Sequence, residues 1–300
     1  MKPLVFPLPG GDAFAARLTH AIQGEPGALA LHRFPDGETL VRLDTDVRDR
    51  CVVLAGSLDH PDDKTLPVLF AADAARDLGA TRVWLVAPYL AYLRQDKRFH
   101  AGEAITSRTY AALLSAALDG LVTVDPHLHR YRTLEEIYRM PTRIVRSAPL
   151  IAAWVHGNVA RPLLIGPDSE SAQWVAEVAR VADAPWTVLQ KTRRGDRAVE
   201  VSVPDASAWT DRNPILIDDI VSSAHTLIQA TASLRSAGLA PPTCIAVHAL
   251  FAPNAYQQLL ASGVSRVLTC DTVPHPSNAI TILQPLARAL RELLDMEATS

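Results

Sequence analysis

The segment PILIDDIVSSAHTL, residues 214–227, places Ile215, Leu216 and Ile217 directly before two adjacent carboxylates, Asp218 and Asp219. Small and polar residues follow. Ser222, Ser223 and Ala224 are small enough for backbone amides to approach an anion, and after His225 the hydroxyl of Thr226 stands where a helix would start. Such a stretch is suited to phosphate chemistry. An isolated Asp-Asp pair at a strand end is otherwise more often a cap for the next helix.

Other residues of chemical interest lie on both sides of it. In PYLAYLRQDKRF, residues 88–99, Tyr89, Tyr92 and Phe99 stand together with Arg94, Lys97 and Arg98. Aromatic rings and guanidinium groups suit a base and its phosphates, although a solvated loop has the same composition. His127 and His129 are two residues apart, which is a weak metal signal by itself. Asp168 follows an apolar run and reads equally as a helix cap. The cationic run Lys191-Thr192-Arg193-Arg194-Gly195-Asp196-Arg197 is, taken alone, a solvated hairpin.

The elements that must carry these residues alternate in type. Short apolar runs at 51–55, 82–87, 121–124, 163–166, 244–250 and 266–270 read as buried strands. Between them lie stretches with helical spacing at 63–78, 103–118, 169–181 and 254–261, and a last one at 286–294. Leu227, Ala230 or Thr231, Leu234 and Ala237 continue that spacing after the acidic segment, with Gly238 as the stop. Strands alternating with helices of this length indicate βαβ units and parallel sheets. Around Pro35-Asp36-Gly37, residues 29–43 read as a hairpin. Periodicity fades between Arg130 and Pro149, so a boundary is expected near 147, with domains 1–147 and 148–300.

The chain has 300 residues, 48% of them hydrophobic and 20% charged, enough for two cored domains. A net charge of −3 argues against a nucleic-acid partner, and no apolar run approaches the length of a membrane span. Cys51, Cys244 and Cys270 are widely spaced within or beside apolar runs, as packed thiols of a reducing compartment are. A soluble cytoplasmic protein is expected.

Taken together, five separated motifs resemble the ribose-phosphate diphosphokinase (PRPP synthetase) family, in the family's order and over nearly the whole chain. They are FPDGE at 34–38, PYLAYLRQDK at 88–97, TVDPHLH at 123–129, the Pro167-Asp168-Ser169 segment, and the acidic loop. Asp271-Thr272-Val273-Pro274 is similar to a further family segment, and the KTR of 191–193 resembles the flexible loop of archaeal-type members. The resemblance implies an α/β fold of two doubly wound, mainly parallel-sheet domains of phosphoribosyltransferase type. It also implies transfer of the diphosphoryl group of Mg-ATP to ribose 5-phosphate, giving PRPP and AMP.

By the same resemblance, Phe34, Asp36 and Glu38 form a loop serving a neighbouring subunit's ATP site, so a homo-oligomer of at least two chains is implied. Arg94 and Gln95 would hold ATP, and His127 and Asp168 would place Mg²⁺. Lys191 and Arg193 would act on the transferring phosphate. Asp218 and Asp219 would hold the ribose hydroxyls, while Ser222, Ser223, Ala224, His225 and Thr226 cradle the 5-phosphate. Many members have a glycine pair where this chain has Ala224 and His225. Two alternatives remain at this level: a phosphoribosyltransferase that consumes PRPP, and a regulatory paralogue without catalysis.

Overall fold

The computed structural model describes residues 2–194, 198–202, 204 and 206–298. Two compact units emerge, one taking the chain as far as Val145 and again from Leu283, the other spanning Arg146–Ile282.

The first unit begins with β1 (Leu4–Pro7), α1 (Asp12–Ala21) and the short β2 (Glu25–Pro26). A hairpin of β3 (Leu29–Arg33) and β4 (Thr39–Leu43) follows, then β5 (Cys51–Ala55), α2 (Pro61–Asp77) and β6 (Arg82–Ala87). Next come α3 (Thr106–Ala117), β7 (Gly120–Val124) and β8 (Thr142–Val145). Six strands form one parallel sheet in the order β2-β1-β5-β6-β7-β8. Residues Val52 to Ala55 and Val83 to Ala87 have no exposed surface, as continuous apolar strands covered on both faces should. Gly120 lets β7 pass against the buried Trp84, whose ring occupies the place a Cβ would take.

The second unit runs through α4 (Ala148–Asn158), β9 (Pro162–Gly166), α5 (Ala172–Ala182) and β10 (Trp186–Val188). The antiparallel pair β11 (Gln190–Arg194) and β12 (Ala198–Ser202) follows, then β13 (Asn213–Val221) and α6 (His225–Ser236). It ends with β14 (Thr243–Ala249), α7 (Ala255–Ala261), β15 (Arg266–Cys270) and β16 (Asn278–Ile280). Its six-stranded sheet is again parallel, in the order β10-β9-β13-β14-β15-β16. From β9 the chain steps outward to β10, and from β13 it steps the other way. That reversal makes the β9/β13 boundary the topological switch point, where open α/β sheets bind ligands at their carboxyl ends.

Three elements differ from the reading of the sequence. The terminal helix α8 (Leu283–Ala298) belongs to the first unit, where it packs on α1, β7 and β8, although 148–300 was expected to hold together. Leu286, Leu290 and Leu293 are buried there, an apolar stripe that by itself names no partner. The helix expected from Glu103 starts only at Thr106. The segment expected as one helix from Ser169 is a short 3₁₀ turn at Ser169–Ser171 followed by α5. Among the described residues no helix is long and apolar enough to cross a membrane. The cysteines form no disulfide with one another, and burial pushes the Cys244 thiol up to about 12, so it carries no appreciable thiolate near neutrality.

Candidate active site

In the second unit the site begins with the register of β13. Ile215, Leu216 and Ile217 are wholly buried, each contributing roughly 1.5–3 kcal/mol through burial of its side chain. The ladder between β13 and β9 ends at Leu216 opposite Ile165, whereas pairing with β14 continues through Asp218 opposite Ala246 to Val221 opposite Ala249. The apolar run therefore ends at the aspartates but the strand does not. Asp218 and Asp219 ride on its last turnless stretch, supported by β14 and clear of β9. Asp218 Oδ1 accepts from the amide of Asp219 at 3.0 Å, and Asp219 Oδ1 from that of Ile220 at 2.8 Å.

Asp168 stands two residues beyond β9. Its Oδ1 accepts from the amides of Glu170 at 3.1 Å and Ser171 at 3.4 Å, so the cap reading holds in this structure. Its charge also reaches across the switch point. Burial, followed by the charges of Asp219 and Asp168, holds the Asp218 carboxyl well above the usual carboxylate range. The like charges of Asp219 and Asp168 acting on a desolvated Asp218 are unfavourable for the protein alone, an arrangement that hydroxyl donors or a cation would relieve.

The small loop then leads into α6. Ser222 accepts from the amide of Ala252 through its carbonyl, and Leu250 donates to the carbonyl of Val221, which ties the loop to the segment after β14. Ala224 is the N-cap of α6, with φ 60° and ψ 2°, and it offers no side-chain cap. His225 enters as the first helical residue and Thr226 follows, so the positive φ falls on Ala224 alone. An N-cap without an oxygen leaves the first-turn amides to another acceptor, a place that suits an anion. Lys191 and Arg193 lie on β11, their backbones opposite Val201 and Val199. Their side chains, and Gly195, Asp196 and Arg197, lie outside the described residues.

In the first unit the candidate residues follow β6 and β7. Arg94 is exposed, while Gln95 is fixed by its side-chain amide, which donates to Glu103 at 2.9 Å and to the carbonyl of Lys97 at 3.3 Å. Asp96 is buried and pairs with Arg130 at 2.7 Å. His127 is half-buried and meets His129 edge to face, the ring centroids 4.0 Å apart, so the two rings brace each other. Phe34, Asp36 and Glu38 lie at the exposed tip of the β3–β4 hairpin. There Asp36 accepts from the Glu38 amide at 3.1 Å and Gly37 takes φ 95°. Strand β4 packs on α2, and Arg33 pairs with Asp63. Glu103 was missed by reading the sequence. Its spacing marked it only as the start of a helix, and its partner Gln95 lies eight positions upstream.

Two parallel sheets with an acidic strand end at the switch point and an uncapped helix beside it define an α/β protein of phosphoribosyltransferase type. Residues 4–117 match the N-terminal domain of ribose phosphate pyrophosphokinase, and residues 133–284 match the phosphoribosyl transferase domain. A ribose-phosphate pyrophosphokinase of Methanopyrus kandleri is 33% identical over 286 residues, 94% of this chain and 97% of that one. One from Saccharolobus solfataricus is 34% identical over 247 residues, 80% of this chain and 82% of that one. The crystal structure of a phosphoribosylpyrophosphate synthetase from Mycobacterium smegmatis superposes with a TM-score of 0.86 at 24% identity, covering 98% of this chain and all of the other, which shows the common fold. The chain belongs to the ribose-phosphate pyrophosphokinase family.

The conformation of Ala224 generates a prediction. The left-handed region costs an L residue roughly 1–2 kcal/mol. Ala224→Gly removes that cost but loses a buried methyl, about 0.8 kcal/mol, and adds unfolded-state freedom of about 0.4–1 kcal/mol. These terms nearly cancel. Urea unfolding should place Ala224→Gly within about 1 kcal/mol of the native chain, and Ala224→Val about 2 kcal/mol below it, because a β-branched residue fits positive φ poorly. A valine variant of native stability would contradict the left-handed N-cap.

Proposed function

We propose that this chain transfers the diphosphoryl group of Mg-ATP to the anomeric hydroxyl of ribose 5-phosphate, forming PRPP and AMP. The bond formed joins the anomeric oxygen to the β-phosphorus, and the bond broken joins that phosphorus to the oxygen kept by AMP. The observation that most supports this reading is the pairing of a carboxylate strand end with an uncapped helix N-terminus, in a chain aligned over 94% of its length with a ribose-phosphate pyrophosphokinase.

Asp218 and Asp219 accept hydrogen bonds from the ribose hydroxyls and so orient the attacking oxygen. Ser222, Ser223, Ala224, His225 and Thr226 hold the 5-phosphate at the start of α6. Arg94 and Gln95 bind ATP from the first unit. Lys191 and Arg193 compensate the charge that grows on the transferring group. Such a reaction needs position and charge compensation more than a covalent intermediate.

Mg²⁺ is assigned to Asp168 and His127. The carboxylates around Asp168 are oxygen donors whose mutual repulsion a dication relieves, so they fit it. His127 offers nitrogen, a poorer partner for so hard an ion, and would fit better as an acceptor from a water on the metal. When bound, the ion neutralises phosphate charge. Three cysteines outside any disulfide support a reducing compartment, and we place the enzyme in the cytoplasm.

Purified protein given ribose 5-phosphate and Mg-ATP should yield AMP and PRPP in equal amounts. Lys191→Ala should lower kcat by about 10²–10³-fold with little change in KM, as loss of a group acting on transition-state charge does. Normal turnover in that variant removes the catalytic assignment. Asp168→Ala should shift the Mg²⁺ titration to higher concentration, and an unchanged curve leaves Asp168 as a cap alone.

A homo-oligomer is part of the same proposal. The exposed tip carrying Phe34, Asp36 and Glu38, with Phe34 40% exposed, suits a loop that completes a neighbouring chain's ATP site. Mixing Phe34→Ala/Glu38→Ala chains with Lys191→Ala chains should restore partial activity, because one site in each mixed pair keeps both parts intact. Verified mixed oligomers that stay inactive, or an active monomer in sedimentation, would refute shared sites.

A further inference from the structure

The segment between β6 and α3 has little apolar anchoring at its outer end, since Phe99, His100, Ala101 and Gly102 are all exposed. Its shape is set by one carboxylate instead. Glu103 Oε2 accepts from the side-chain amide of Gln95 at 2.9 Å, the backbone amide of Phe99 at 2.8 Å and that of His100 at 3.1 Å. Glu103 Oε1 meets His100 Nδ1 at 2.8 Å. The carbonyl of the same residue accepts from Arg98 Nε at 2.9 Å. Gly102, at φ 87°, turns the chain so that Glu103 comes back over residues 95–100.

These donors, the His100 side chain foremost and then the His100 and Phe99 amides, hold the Glu103 carboxyl below its usual range, so it is a charged acceptor. On the inner side the loop is pinned by the buried Asp96 and its partner Arg130. Lys97 and Arg130 lie 5.0 and 5.5 Å from the centre of the Phe99 ring. Gln95 is thus held from both sides. Its carbonyl also receives the Ser107 amide at the first turn of α3, at 3.4 Å.

A binding loop that is disordered when free must be ordered at the expense of ligand affinity. Charge-assisted bonds to one hub remove that cost beforehand. We infer that Glu103 is the positioning residue of the nucleotide loop: it presets Gln95 and the backbone of 98–100 for ATP without touching the nucleotide. This rests on the assignment of ATP to Arg94 and Gln95 above. A carboxylate serving only to brace the approach to α3 would affect stability and leave affinity for a nucleotide unchanged.

The test is titration calorimetry with Mg-ATP in the absence of sugar, alongside thermal melts. Glu103→Ala should raise the Kd for ATP about tenfold, the equivalent of one charge-assisted hydrogen bond, while binding of ribose 5-phosphate stays as in the native chain. Glu103→Gln keeps the shape and one good acceptor for the backbone amides, so its Kd should rise only about threefold. If Gln95 is the member through which Glu103 acts, Gln95→Ala/Glu103→Ala should bind ATP no more weakly than the worse single variant. Should Glu103→Ala fail to fold, Glu103→Gln decides, and a native Kd in it overturns the inference. Native ATP affinity in Glu103→Ala, with or without a lower melting temperature, does the same. A native chain that binds no ATP overturns the nucleotide assignment itself, and this inference with it, which distinguishes the two failures.

Discussion

Like charges act on one another where the sheet of the second unit divides, with the Asp218 carboxyl at a desolvated strand end under the charges of Asp219 and Asp168. Asp218 and Asp219 extend beyond the end of the β9 ladder while β14 keeps them in line. Asp168 sits across the gap, and burial with mutual repulsion keeps Asp218 from ionising readily. The fully buried Ile215, Leu216 and Ile217 immediately upstream anchor the strand against that repulsion. Such repulsion is a cost in the free protein, of the kind that stability gives up at functional sites.

The same logic governs the helix beside it. A serine or aspartate at the N-cap of α6 would satisfy the first-turn amides and close them to a phosphate. Ala224 leaves them open, and its left-handed backbone is the corresponding strain. Open donors next to crowded acceptors are both consequences of building a polar ligand's surroundings before the ligand arrives.

The first unit solves a different problem. Apart from those of the hairpin, its candidate residues lie after β6 and β7 and not at the β1/β5 reversal of its own sheet, Arg94 and Gln95 just beyond the buried Leu90 and Leu93. Order there comes from ion pairs and hydrogen bonds: Asp96 with Arg130, and Glu103 with four donors. The hairpin tip at Phe34 to Glu38 is shaped by its own Asx turn and left exposed. Carboxylates on a strand and cationic loops held by local bonds are complementary ways of fixing polar side chains.

The sequence by itself determined the α/β class, the parallel strands and the acidic loop, because those depend on local pattern: apolar runs of strand length, helical spacing between them, and a motif contiguous over fourteen residues, 214–227. Periodicity likewise marked the apolar stripe of the last helix. Only the tertiary structure decided that this helix packs on the first unit, since Leu286, Leu290 and Leu293 require an apolar partner but do not specify which. It also decided that β13 continues past its aspartates, because ladder length depends on a neighbouring strand distant in sequence. Ala224, not His225, took the left-handed position for a similar reason, as the loop is tied down by Leu250 and Ala252. Glu103 was illegible for the plainest reason. A carboxylate gathering amides from a loop that folds back on it has no spacing signature, and only the folded backbone brings its donors within reach.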